Sequence, residues 1–164
     1  MAKNITTQNV NTSTIKKIYV LQGESGSGKS STIKEIYRIL SVKYNGCVVS
    51  VMPIQKFTPS EYDMTIVIEI TVNSNVIKIG IGSSGDTKGH IKNSLSFFNS
   101  QNCEIIFCAE RNNNIQGTVA QWVKQAGLSQ QIVDPTPKNK TANYSAMKIY
   151  TAAKKIVAKA EKIM

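Results

Sequence analysis

Residues 15–46 read IKKIYVLQ, GESGSGKS, STIKEIYRILSVKY, NG, and this stretch decides the fold. Ile15 to Leu21 is an apolar, β-branched run that predicts a strand. From Lys29 to about Tyr44 the apolar positions Ile33, Ile36, Tyr37 and Leu40 recur at helical spacing, and Asn45-Gly46 stops the helix. Between them lies an eight-residue loop with three glycines.

That loop, Gly23-Glu24-Ser25-Gly26-Ser27-Gly28-Lys29-Ser30, fits G-x-x-x-x-G-K-[ST] in full, with a strand before it and a helix after it. Gly23, Gly26 and Gly28 allow backbone angles that a side chain forbids. Successive N–H groups then point inward and wrap phosphate oxygens, and the helix N-terminus adds about half a positive charge. Lys29 is placed to bridge the β- and γ-phosphates, Ser30 to put its hydroxyl on Mg²⁺, and Ser31 to touch the α-phosphate. These residues resemble the P-loop NTPase superfamily. The resemblance implies Mg-ATP as the ligand and hydrolysis or phosphoryl transfer as the activity.

The rest of the chain alternates strands and helices. Cys47–Met52 predicts a second strand; Met64–Val72 and Val76–Gly82 predict a hairpin joined by Asn73-Ser74-Asn75. A glycine-rich loop, Gly80 to Gly89, leads to a helix with Ile91, Leu95 and Phe98 on one face. Glu104–Ala109 is a further strand. Val119, Trp122, Val123 and Ala126 mark a helix stopped by Gly127, and Gln131–Val133 is a short final strand. Asp134-Pro135 opens a linker. The last helix, about 143–162, carries Ile149, Ala152, Ala153, Ile156, Val157, Ala160 and Ile163 on one stripe. This pattern predicts an α/β fold: a mainly parallel sheet flanked by helices, with the hairpin at the sheet edge. Residues 1–14 read as a loose polar arm before a single domain, 15–164.

Mg²⁺ in a phosphate site is completed by a carboxylate at the end of a neighbouring strand. The chain has ten acidic residues, so the search is short. Asp86 ranks first: it opens Asp86-Thr87-Lys88-Gly89, a D-x-x-G sequence just after a strand, although an Asp there also suits a helix N-cap. Glu110 ranks second; it ends the Glu104–Ala109 strand and is placed to orient a water or an acceptor hydroxyl. Glu69 reads as an outward strand residue. Arg111, just past a strand end on the ligand side of the sheet, suits stabilisation of a transferring phosphoryl group.

Three further segments add to the resemblance: Ile79-Gly80-Ile81-Gly82-Ser83-Ser84-Gly85-Asp86; Cys103-Glu104-Ile105-Ile106-Phe107-Cys108-Ala109; and Arg111. They are similar to small kinase-like P-loop proteins of bacteria and phages. That likeness spans about two thirds of the chain and implies that Asp86 and Arg111 belong to the site. Glu110 departs from it, where a small residue is expected.

Other classes fit less well. Leu128-Ser129-Gln130-Gln131 lacks the glycines of an ABC signature. Asn139-Lys140-Thr141-Ala142 lacks the aspartate that reads guanine, so only D-x-x-G favours a GTPase. An AAA+ module needs a helical lid, and RecA-like proteins are larger. With two arginines in all, Arg38 and Arg111, the chain has no arginine-rich lid, which favours a small-molecule or nucleoside acceptor. Gln55, Lys56, Phe57 and Tyr62 mark a candidate acceptor pocket.

The formal net charge is +10, and residues 135–164 hold seven lysines against Glu161. That basic helix suits an acidic protein or nucleic acid, the rival reading being a nucleotide-dependent binding module with slow or no turnover. Cys47, Cys103 and Cys108 have no metal-ligand spacing and read as buried reduced thiols. The lone His90 has no partners for a zinc site. No apolar run approaches the ~20 residues of a spanning helix, and the N-terminus has no apolar signal region. A cytoplasmic location without membrane contact is the expectation, and the sequons at Asn4, Asn11, Asn139 and Asn143 then go unused.

Overall fold

The computed structural model describes residues 12–53, 63–112, 115–138 and 145–164. The expected Gln55–Tyr62 pocket, residues 139–142 and most of the N-terminal arm lie outside them. In chain order the elements are β1 (Lys17–Gly23), α1 (Lys29–Tyr44), β2 (Cys47–Val51), β3 (Thr65–Val72), β4 (Asn75–Gly82), α2 (Lys88–Ser100), β5 (Ile105–Arg111), α3 (Thr118–Gln125), β6 (Val133–Lys138) and α4 (Ala146–Glu161).

The six strands form one sheet in the order β2-β3-β4-β5-β1-β6. β1 pairs in parallel with β5 and β6, β5 in parallel with β4, and β3 antiparallel with both β4 and β2. So β3 alone runs against the other five. The β3–β4 turn carries Asn73 at φ 49° and Ser74 at φ 68°, the left-handed pair that matches a two-residue hairpin to strand twist. The inverted strand is not outermost, because β2 pairs along its far side.

The central strands bury both faces, as a parallel sheet with helices on each side requires. Tyr19 and Leu21 of β1 and Ile105 and Phe107 of β5 join one core with Ile33, Ile36 and Leu40 of α1 and Ala153, Ile156, Val157 and Ala160 of α4. Ile18, Val20, Ile106 and Cys108 point the other way, to Ile91, Leu95 and Phe98 of α2 and Val119, Trp122 and Val123 of α3. The apolar stripe of the last helix is therefore packed, and each buried Ile or Val in it contributes about 1.5–3 kcal/mol. Gly80 makes room for α2: a Cβ there would meet the Phe98 ring at 2.6 Å.

Three expectations are corrected. The expected linker at Asp134-Pro135 is strand; β6 runs to Lys138 and contains Pro135 and Pro137. β6 is an edge strand paired on one side, and two prolines two residues apart remove only donors that would face away from β1. Gln130–Ile132, which contains the start of the expected last strand, is a 3₁₀ turn. Of the three cysteines, Cys103 and Cys108 are buried but Cys47 is exposed, because it lies on the outermost strand. Burial pushes the Cys103 thiol up to about 12 and the Cys108 thiol higher still.

Ser13 and Thr14, at the end of the arm, are tied down: Ser13 Oγ donates to Asn99 Oδ1 at 2.7 Å and Thr14 Oγ1 to the Cys103 carbonyl at 3.1 Å. Among the described residues no helix is long and apolar enough to cross a membrane.

Candidate functional site

The C-terminal ends of β1, β4 and β5 are sewn together by hydrogen bonds. Asn112 N–H, following β5, donates to the Gly23 carbonyl at 3.0 Å, and Arg111 N–H donates to the Gly85 carbonyl at 3.0 Å. Ser30 Oγ donates to the Ser83 carbonyl at 3.1 Å, joining the first turn of α1 to the end of β4. Ser83 in turn holds β3, its Oγ accepting from Met64 N–H at 2.8 Å.

Two close approaches make this joint possible. A Cβ at Gly85 would overlap the Ala109 carbonyl, and a Cβ at Gly23 would overlap the Lys138 carbonyl and meet Ser27 Oγ at 2.6 Å. Gly23 is thus required for space, whereas Gly26 (φ 75°) and Gly28 (φ 81°) are required for backbone angle.

Gly28 is the N-cap of α1, which has no side-chain cap and no acidic residue in its first turn. Its amide dipoles converge on the Gly23–Ser30 loop. Lys29 is buried, and its Nζ donates to the carbonyls of Gly23 at 2.9 Å and Glu24 at 2.6 Å. Burial pushes its ammonium below the ordinary lysine value; Asp86 pulls it back up and Arg111 pushes it down. Asp86 and Arg111 also pair, Nε to Oδ1 at 3.6 Å, with the Asp86 side chain 64% exposed. Lys29, Asp86 and Arg111, from three separate chain segments, thus share one field. Glu24, Ser25 and Ser31 are exposed, and Ser27 is buried.

Arg111 is the last residue of β5 rather than a residue beyond it. Asp86 does not cap α2: Thr87 does, its Oγ1 accepting from His90 N–H at 3.1 Å. The Asp86 carboxylate is left facing solvent beside Arg111. Glu69 is half-buried and lies across from Lys78 at 3.9 Å, away from this edge.

Glu110 is fully buried. Its Oε1 accepts from Gln22 Nε2 at 3.0 Å and Gly117 N–H at 2.7 Å, and its Oε2 accepts from Val119 N–H at 2.9 Å. Both oxygens are spent on a cross-strand contact and on the N-terminus of α3. A buried carboxylate needs this many donors, since an unpaired one costs several kcal/mol.

The two side chains that could hold a metal here, the Ser30 hydroxyl and the Asp86 carboxylate, offer oxygen donors. Among the described residues no group of three or more His, Cys, Asp or Glu side chains could hold a metal by itself. Two oxygen ligands suit Mg²⁺, which keeps waters and phosphate oxygens in its shell, and do not suit zinc. Sequence reasoning missed Ser83 and Gly85 as joint-forming residues. The only signal for them was the run Gly82 to Gly85 directly before Asp86.

No protein-family model, no curated protein and no solved structure matches this chain.

Proposed function

We propose that the protein is a P-loop NTPase of kinase-like build that binds Mg-ATP at the Gly23–Ser30 loop and hydrolyses it or transfers its γ-phosphoryl group to a small acceptor. The observation that carries this reading is a helix N-terminus that no side chain of its own caps, with Lys29 buried in the loop before it and the Asp86–Arg111 pair near enough to act on the Lys29 charge. Lys29 and the loop amides hold the phosphates. Ser30 and Asp86 hold Mg²⁺, which when bound neutralises charge between the β- and γ-phosphates. Arg111, paired to Asp86, is positioned to stabilise charge on the γ-phosphoryl group. Glu110 has no role in the chemistry in this reading; its oxygens are already engaged.

Mg²⁺-dependent release of ADP from ATP tests the activity. Turnover by wild type that is abolished in Lys29→Ala supports it, and equal rates in both proteins would overturn it. A burst of ADP on adding a nucleoside or small-molecule acceptor identifies a kinase; a steady rate without acceptor identifies an ATPase.

A further inference from the structure

The chain's single histidine, His90, lies at the same sheet edge as the Gly23–Ser30 loop, and its ring meets a hydroxyl. β4 ends at Gly82, and Ser83, Ser84, Gly85 and Asp86 follow at the carboxyl edge of the parallel strands, where such sheets bind ligands. Ser83 is tied on two sides. Its carbonyl accepts from Ser30 Oγ at 3.1 Å, and its buried Oγ accepts from Met64 N–H at 2.8 Å. Because Ser30 Oγ gives its proton to that carbonyl, its lone pairs stay available to Mg²⁺. Ser84, the next residue, is half-buried, and its Oγ lies 3.3 Å from His90 Nδ1 in the first turn of α2. Gly85 fixes the backbone that follows, its carbonyl accepting from Arg111 N–H at 3.0 Å. Ser84 is therefore held between the residue that touches Ser30 and the residue that leads into the Asp86–Arg111 pair.

Neighbouring hydroxyls are engaged otherwise: Ser83 Oγ holds β3, and Thr87 Oγ1 caps α2 by accepting from His90 N–H at 3.1 Å. Ser84 instead meets a base. In the tautomer that carries its proton on Nε2, the His90 ring accepts from Ser84 O–H at Nδ1, the arrangement that makes a hydroxyl a nucleophile.

We propose that Ser84, activated by His90, is itself a phosphoryl acceptor, so that the chain phosphorylates Ser84 from the nucleoside triphosphate at the Gly23–Ser30 loop. This rests on the Mg-ATP reading of that loop. Ser84 Oγ forms a bond to the γ-phosphorus, the bond from that phosphorus to the β,γ-bridging oxygen breaks, and the nucleoside diphosphate leaves. The hydroxyl proton passes to His90 Nδ1 and from there to water. The product is a phosphoserine beside the first turn of α2. That turn holds no acidic residue, so the helix dipole stabilises the added negative charge.

The test is mass spectrometry of the whole chain after incubation with Mg-ATP, followed by mapping of the tryptic peptide 79–88. The expected result is the gain of one phosphoryl group per chain, located by fragmentation on Ser84 rather than on Ser83 or Thr87, at a rate independent of protein concentration. Ser84→Ala loses the label, and His90→Gln slows its appearance about a hundredfold or more. Ser100→Ala, at the far end of α2, leaves it unchanged. A melting-temperature shift with a non-hydrolysable ATP analogue, read on the wild type, reports separately whether the loop binds nucleotide. A wild-type chain that shows the shift but gains no phosphate, or gains it at another residue, overturns the proposal and leaves the nucleotide reading standing; one that shows neither overturns both. Labelling whose rate rises with protein concentration, or that keeps its full rate in His90→Gln, also overturns the proposal.

Discussion

The N-termini of α1 and α3 begin alike and end differently. Each is led by a left-handed glycine, Gly28 at φ 81° and Gly117 at φ 91°, with no side-chain cap from the cap residue and no acid in the first turn. At α3 the chain supplies its own anion: Glu110 crosses from β5 and accepts from Gly117 and Val119. At α1 the buried group is a cation, Lys29, bonded among the described residues within its own loop. A carboxylate is what a helix N-terminus favours, and an ammonium is what it disfavours. So α3 is electrostatically complete, whereas α1 gathers positive potential from its dipole, Lys29 and Arg111, offset only in part by the exposed Asp86. That excess is the physical reason for assigning phosphate to α1 and structure to α3.

Glu110→Gln attacks the completed end and has the largest expected effect. An amide N–H₂ would face the donors of Gly117 or Val119, at a cost of about 2–3 kcal/mol. The melting temperature, read by calorimetry, falls by roughly 5–10 °C in a domain of this size. Nucleotide-dependent stabilisation survives. A variant that keeps its melting temperature but loses turnover would make Glu110 catalytic and end the contrast between the two helices.

Gly85→Ala strikes the joint that sets Asp86 and Arg111 beside the loop. Its Cβ would overlap backbone of β5, so the strand ends must part, at a cost of about 1–3 kcal/mol. The melting temperature falls by several degrees, about 2–4 °C for each kcal/mol, and the Mg²⁺ requirement rises with it. Unchanged Mg²⁺ dependence would show that the joint does not position the ligand site.

Asp86→Asn has the smallest effect on stability, within about 0.5 kcal/mol, because the side chain is mostly exposed. Its effect lies in the titration of activity with Mg²⁺, where the midpoint moves to higher concentration. If Glu110→Gln moves that midpoint and Asp86→Asn does not, the two carboxylates exchange roles.

The α1 region was legible in the sequence because its information is local. Glycine spacing, the following lysine and the helical repeat of Ile33, Ile36 and Leu40 all fall within one strand–loop–helix unit. The β3–β4 hairpin was legible for the same reason, through its Asn-Ser turn. What escaped depends on contacts between distant segments. Glu110 looked like a site residue because it ends a strand; its three donors come from Gln22 and from residues after β5, and no spacing rule reports them. β6 escaped because Pro135 and Pro137 weigh against a strand until β1 is known to lie on one side only. Asp86 reads first as a Mg²⁺ carboxylate and second as a cap of α2; the cap is Thr87, one residue on, whose Oγ1 accepts from His90 N–H. The bond from Ser30 Oγ to the Ser83 carbonyl, which ties the start of α1 to the end of β4, is likewise a contact between distant segments.

The central claim is that the N-terminus of α1 holds the phosphates of a nucleotide through Lys29. The most direct test is a thermal-shift titration with Mg-ATP on wild type and Lys29→Ala. At about 100 times the dissociation constant, a bound ligand stabilises by about 2.7 kcal/mol, which moves the melting temperature by roughly 5–10 °C here. The account predicts that shift in wild type and its loss in Lys29→Ala. No shift in wild type, or an equal shift in both proteins, would contradict it.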